Sequence, residues 1–398
     1  MLLNPVKFAS HLIILLPLLL ITGPFLSDLS VIIIDVIFLY LIIKNKQYEY
    51  FNHTLIKFLL LFNIYISIRS IFADDVFLSL KSSLTYFRFS ILIFAIYFFL
   101  SKNDKLIKNF ARSITIIIIA LCLDAIFQYI FGFNTLGFKI ENADKLNGFF
   151  KDEAVLGSYL VRLFPLLIVS HFILLNKKVN KIYFILLFLL ISITIFLSGS
   201  RSSLALLLIF ISIFLLLFQT YRKEILTVIF SIIISISLLS LFFEKINYNI
   251  YYNLFDPIKT MFFELEESKT ENVKDKKIII FTKVYHSQYE TAYKMFKNNK
   301  FFGVGNKMYR KLCGEKEYYI NKFSCTTHPH NFYMQVLAEN GIIGFIFIIS
   351  LFIYSSLIIF KEIYFRNIKK VKNLNDNAVL IMVGAFINLW PIIPSGNL

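Results

Sequence analysis

Charge is scarce in this sequence. Asp, Glu, Lys and Arg make up 17% of its 398 residues, against 58% hydrophobic ones, and the mean hydropathy is +0.71. A soluble protein of this length has no interior able to hide so much apolar surface, and 46 phenylalanines add to the excess. A water-soluble fold is therefore excluded. What is present instead is a series of long apolar runs. "ILTVIFSIIISISLLSLFF" (225–243) and "GIIGFIFIISLFIYSSLIIF" (341–360) each fill a bilayer-spanning length of roughly 20 residues.

Acidic residues are scarcer still, 25 against 41 basic ones, for a net charge of +16. The distribution of that charge argues against nucleic acid as a partner. Eleven spans are expected, near 8–26, 29–43, 55–72, 84–100, 110–131, 154–175, 182–198, 203–218, 225–243, 341–360 and 378–394. Connections on one side, such as "SKNDKLIKNFAR", "NKKVNK" and "KEIYFRNIKKVKN", are short and rich in Lys and Arg. Those on the other, such as "KIENADKLNGFFKDE", balance the two signs. This is the positive-inside asymmetry, and it puts the N-terminus in the cytoplasm. No small-residue cleavage site follows the first run, so an uncleaved first helix is expected. The predicted fold is an all-α polytopic bundle of 11–12 spans: residues 1–243 form the bundle, 244–340 an outward loop domain, and 341–398 the last spans.

The outward loop shifts to Lys, Glu, Asn and Tyr, with no sheet-forming alternation or repeat. In "YETAYKMFKN" the helical spacing puts Tyr289, Ala292, Tyr293 and Phe296 on one face, and "NKFFGVGNKMYR" reads as a turn before a short helix. The chain has only three cysteines. Cys122 falls mid-span and reads as packed. Cys313 and Cys325 both lie in the loop, where an oxidising compartment favours a disulfide; two free thiols are the alternative.

Charged residues in or beside spans need a reason. Arg69, Arg88, Arg162 and Arg201 qualify, each readable as a snorkelling anchor or as an anion contact. Arg162 lies two turns into its span. Arg201, in "SGSRSSLALLL", has Gly and Ser around it and no local acid, a composition suited to cradling an anion at a helix start. In "TTHPHNFYMQVLAENGIIGF" (326–345), His328 and His330 flank a proline. That spacing on a helix would point them to different faces, and no H-x-x-x-H or nearby carboxylate completes a metal site, so no metal or other cofactor is expected. A neutral imidazole with Asn331 beside it suits a general base, or else a loop cap. Gly303 and Gly305 in "GVG" read as a turn or as a loop closely approaching phosphate. Asp74–Asp75 and Asp152–Glu153 read as solvated acids, or else as pairs that bind a cation or orient a substrate.

"SGSRSSLALLL", then "NNKFFGVG", then "CTTHPHNFYMQVLAENGIIGF" together resemble the O-antigen ligase family, which shares a domain with O-antigen polymerases. "GFFKDEAVLGSYLVRLFPLL" and "NLWPIIPSGN" are similar to members as well. The resemblance implies transfer of a glycan from an undecaprenyl-diphosphate carrier to the sugar of a lipid A–core acceptor at the periplasmic face of a bacterial inner membrane. The family's loop histidine falls on His330, as activator of the acceptor hydroxyl, and its "SR" arginine on Arg201, as a diphosphate contact. Members carry a further arginine in the loop helix before "GVG". This chain has "KVYHSQYETAYKMF" there, with Lys283 and His286, so Arg162, Arg310 or Lys283 is expected to substitute, with Arg88 as another outward cation. Members have twelve spans, and a truncated or lost last helix is the expectation here.

The chemistry agrees. A diphosphate leaving group already activates the anomeric carbon, so an in-line, inverting displacement needs a base on the acceptor and cations on the departing group. A polymerase lengthening the carrier-linked glycan needs the same donor site. A transporter of a lipid-linked or anionic solute would also use embedded arginines; against it, the sequence shows no inverted repeat of broken helices.

Overall fold

The computed structural model describes residues 4–140, 145–151, 153–175, 181–242 and 282–393. Asp152, the loop stretch 243–281 and the terminal residues 394–398 lie outside them. Among the described residues the chain is helical and contains no β-strand, only one isolated bridge, Phe133 to Lys139. The helices are α1 (Pro5–Ile21), α2 (Pro24–Asn45), α3 (Thr54–Ser70), α4 (Val76–Thr85), α5 (Phe87–Lys102), α6 (Asp104–Phe131), α7 (Leu156–Leu174), α8 (Lys181–Leu197), α9 (Arg201–Leu217), α10 (Arg222–Phe242), α11 (Lys283–Asn298), α12 (Tyr309–Leu312), α13 (Phe332–Tyr364) and α14 (Asp376–Asn388).

Local chemistry sets many of their boundaries. Asn4, Asp75, Asn103, Ser200 and Asn375 accept first-turn N–H groups with their side chains, which satisfies donors a helix start leaves open. Pro5 and Pro24 occupy first-turn positions, where the missing N–H costs nothing. Each of the eleven apolar runs falls largely on helix among the described residues, although the first is interrupted at Thr22–Gly23 and the last is helical only to Asn388. Five helical stretches are long and apolar enough to cross a membrane, and a sixth arises if α9 and its successor, which meet at a 111° bend, count as one broken span. α1, α8 and α14 are apolar but shorter. α3, where the third span was expected, is seventeen residues long and carries Lys57 and Arg69. The protein is thus a multi-pass helical membrane protein.

The chain divides into two compact units that cut across the three expected segments. One comprises Met1–Tyr48, Leu92–Asn249 and Tyr354–Leu389; the other comprises Glu49–Ile91, Ile250–Ile353 and Trp390–Leu398. In the first, α6 and α7 pack on each other and α14 packs on α7. Phe164, Phe188, Phe210 and Phe214 fill a buried aromatic core there.

The second unit holds the loop helices. α11 buries Gln288, Tyr289, Ala292 and Met295, while Tyr293 is 45% exposed. The buried stripe is therefore rotated from the expected one, with Met295 in place of Tyr293, because Ala292 and Met295 pack on Met308, Tyr309 and Val304. Cys313 and Cys325 are joined in a disulfide, with Cα atoms 5.1 Å apart.

α13 is broken at Gly341, whose φ of 64° and ψ of −165° interrupt the helix. The break leaves orphan backbone groups, and the segment 300–305 takes them up. The N–H groups of Ile342 and Ile343 donate to the carbonyls of Lys300 and Phe301 (2.8 and 3.4 Å), and those of Val304 and Gly305 donate to Ala338 and Glu339 (2.9 and 2.7 Å). The Asn340 carbonyl accepts the Tyr65 hydroxyl at 2.6 Å. Gly303 and Gly341 sit where these backbones touch: a Cβ on Gly303 would lie 2.5 Å from the Asn340 nitrogen, and one on Gly341 would lie 2.6 Å from the Phe302 nitrogen. Both have positive φ, so glycine is required twice over.

Candidate functional site

The second unit gathers most of the polar residues singled out above. After Pro329 the backbone of His330 is left-handed, with φ of 49°, a conformation that costs free energy in a non-glycine residue and recurs at functional sites. The chain then enters α13 through Asn331, whose side-chain oxygen accepts the Met334 N–H (3.0 Å) while its amide donates to the Pro391 carbonyl (2.8 Å). Asn331 is thereby a helix cap as well as a neighbour of His330. Because the backbone is not helical here, the two imidazoles meet instead of diverging. Their centroids are 4.2 Å apart, and Tyr285 of α11 stands 5.8 Å from His330 on another side.

The two rings differ in access. His328 Nδ1 bonds the Thr327 hydroxyl at 2.9 Å, and its Nε2 is buried with no hydrogen-bond partner among the described residues. His330 is half-buried, and its ring nitrogens make no hydrogen bond among the described residues. Burial lowers the pKa of both imidazoles. His328 falls to about 4, helped by His330, Lys307 and Arg310, and His330 falls below its ordinary 6.5. Both are neutral near pH 7, the form a general base requires.

Cations stand beside this pair. Lys307 and Arg310 lie within electrostatic range of His328, and Arg310, Arg88 and Glu339 all lie within range of Tyr86. Arg310 Nε is buried without a hydrogen-bond partner among the described residues. Burial lowers the Lys307 pKa, and Arg310 adds to that, while Glu339 opposes it. Glu339 is 2% exposed and accepts the Tyr309 N–H at 3.3 Å and the Gln335 amide at 3.1 Å. Glu339, Lys307 and Tyr86 were missed in the sequence reading. The signal for Glu339 was present: it is a charge at the start of an apolar helix, the same criterion that picked out the arginines.

Other candidates take structural positions. The Gly303 and Gly305 turn commits its N–H groups to Asn299 and Glu339, so it is a clasp on the α13 break and offers no open phosphate donors. Arg69 holds the same clasp through the Gly303 carbonyl at 2.6 Å and the Phe302 carbonyl at 3.0 Å. Asp75 caps α4 and pairs with Lys311, which keeps its carboxyl below the usual range. Lys283 begins α11 and is exposed; His286 faces Glu290 at 3.9 Å.

Arg162 and Arg201 belong to the first unit. Arg162 bonds Ser158 at 3.1 Å and the Asn388 side chain and carbonyl at 3.3 Å, with no acid on it. Arg201 opens α9 after the Ser200 cap. It is exposed and has no ion pair or side-chain hydrogen bond among the described residues.

A multi-pass helical protein with a neutral histidine pair edged by cations is a candidate membrane transferase for an anionic donor. Residues 186–349, running from α8 into the second half of α13, match the family model described as O-antigen ligase. The matched stretch carries Arg201, the GVG turn, the disulfide and both histidines. The match covers less than half of the chain and supports, over that stretch, a likeness to membrane glycosyltransferases of the O-antigen ligase and polymerase type. No curated protein matches the chain.

Proposed function

We propose that the protein is a ligase-type glycosyltransferase. It moves a glycan from undecaprenyl diphosphate to a sugar hydroxyl of a lipid A–core acceptor, at the periplasmic face of the inner membrane. The observation that carries this reading is the half-buried, neutral His330, held in a strained backbone with open ring nitrogens and cations alongside. His330 takes the proton of the acceptor hydroxyl as that oxygen attacks the anomeric carbon, the carbon–oxygen bond to the diphosphate breaks on the opposite side, and the configuration inverts. General-base catalysis of this kind contributes about 10²–10⁴-fold. Arg310, with Lys307 and Arg88, offsets charge on the departing diphosphate, whose bond is already activated, so neither ATP nor a metal enters the step; the family resemblance assigns a donor contact to Arg201 and, as a substitute, to Arg162. A disulfide-closed loop fits an oxidising compartment, which agrees with the loop facing outward.

Reconstitution with a purified lipid-linked glycan tests this directly, with lipid A–core and a second carrier-linked glycan offered as rival acceptors. Growth of the lipid A–core is the expected result. Growth of the carrier-linked glycan alone would reassign the protein as a polymerase using the same site, and transfer to neither, with movement of the donor across the bilayer, would make it a transporter. Arg201→Ala is expected to lose donor use, and full turnover in that variant would return Arg201 to an interfacial anchor.

A further inference from the structure

A cavity of about 600 Å³ opens beside the last turn of α3, lined on one side by Tyr65, Ile68, Arg69 and Phe72 and on the other by residues 298–303. None of these residues belongs to the histidine cluster. The volume lies in the range of ligand pockets, roughly 300–1,000 Å³. Its walls are strongly apolar and uncovered: Phe72 is 74% exposed, Phe301 67% and Phe302 56%. Phenyl rings so exposed, grouped on the surface of a membrane protein, form an apolar patch that suits contact with lipid rather than water.

The polar part of the lining is equally one-sided. It contains Arg69 and Lys300 and no carboxylate; the nearest acid acting on Arg69 is Asp74, outside the lining. Arg69 uses Nε and Nη2 on the Phe302 and Gly303 carbonyls, which leaves Nη1 uncommitted. Lys300 engages the Ile342 N–H through its carbonyl, and its amine makes no ion pair among the described residues. A neutral lipid would leave these cations without an anion, while a soluble phosphate would leave the aromatic walls wet. One ligand class answers both features.

We propose that this cavity binds one anionic phospholipid of the surrounding membrane, with its phosphate on Arg69 and Lys300 and its hydrocarbon along Phe72, Phe301 and Phe302. The bound lipid braces segment 300–303, the clasp that fills the break in α13 at Gly341. The proposal rests on the membrane-protein reading alone, so it stands or falls separately from the reaction proposed above.

The full chain, delipidated in neutral detergent, is examined by native mass spectrometry and thermal unfolding with phosphatidylglycerol, phosphatidylcholine of the same acyl chains, glycerol phosphate or lipid A. The expected result is one retained phosphatidylglycerol and a raised Tm, with neither effect from phosphatidylcholine or glycerol phosphate. Lys300→Gln is expected to weaken phosphatidylglycerol binding about five- to tenfold, the scale of one surface cation on an anionic lipid, and to leave the lipid-free Tm unchanged. Phe302→Ser is expected to weaken binding through the wall. Equal binding of the two phospholipids, or unchanged affinity in Lys300→Gln, would overturn the proposal. Glycerol phosphate binding as tightly as phosphatidylglycerol would remove the role of the aromatic wall, and one-for-one displacement of phosphatidylglycerol by lipid A at lower concentration would reassign the cavity to the acceptor.

Discussion

Two polar clusters in this protein use the same residue types to opposite ends. In the first unit, Arg366 is buried and fully engaged: it donates to Glu362 at 2.9 Å, Asp376 at 2.8 Å and the Leu374 carbonyl at 3.0 Å, and stacks over Phe218 at 5.2 Å. Within this cluster, Arg366 and Glu362 have their counter-charges and their hydrogen bonds, as burial demands. In the second unit, Lys307 and Arg310 stand within electrostatic range of His328, Lys307 also of the buried Glu339, and Arg310 Nε and His328 Nε2 have no hydrogen-bond partner among the described residues. Saturated polar groups hold a fold together. Groups left short of partners in a recess cost stability, and that cost is retained where an incoming ligand completes the set.

The comparison is sharpened first by His330→Ala, expected to lower glycan transfer about 10²–10⁴-fold with unchanged helicity and thermal unfolding; transfer at wild-type rate would end the base assignment. Arg366→Met should do the reverse. It strands Glu362, 0% exposed at its side chain, and is expected to cost about 3–5 kcal/mol of stability, read by unfolding in detergent, with normal turnover per folded molecule. If Arg366→Met abolished turnover while remaining folded, the division between the two clusters would fail. Gly303→Ala comes next: forcing a side chain against the Glu339–Asn340 backbone at positive φ is expected to cost about 1–3 kcal/mol, seen as a lower Tm. Arg310→Gln is expected to raise the KM for the lipid-linked donor about tenfold, the scale of one charge-assisted contact.

The smallest effect is on pH dependence. A base must be neutral, and protonation on acidification removes it. Burial lowers the His330 pKa, so the acid limb of the rate profile is expected below 6.5. A limb centred above that value would mean that another group controls the step.

The helices were legible because the signals are local. Each apolar run became helix over most of its length, and the amphipathic loop helix was found with its stripe off by one residue, since only its partners Met308, Tyr309 and Val304 decide which residues turn inward. The histidines were legible as chemistry but not as a pair. Their contact depends on a left-handed backbone at His330, which no spacing rule foresees. Gly303 read as a turn glycine and Gly341 as the first residue of a span, although each is required by the backbone of the segment that carries the other.

The sequence by itself determined a helical membrane protein, through runs of apolar residues that water will not accept and basic connections that favour one side of the bilayer. Only the tertiary structure decided which charges are answered and which wait. That outcome depends on residues hundreds of positions apart, as when Tyr65 donates to the carbonyl of Asn340, and such pairings leave no periodic trace along the chain.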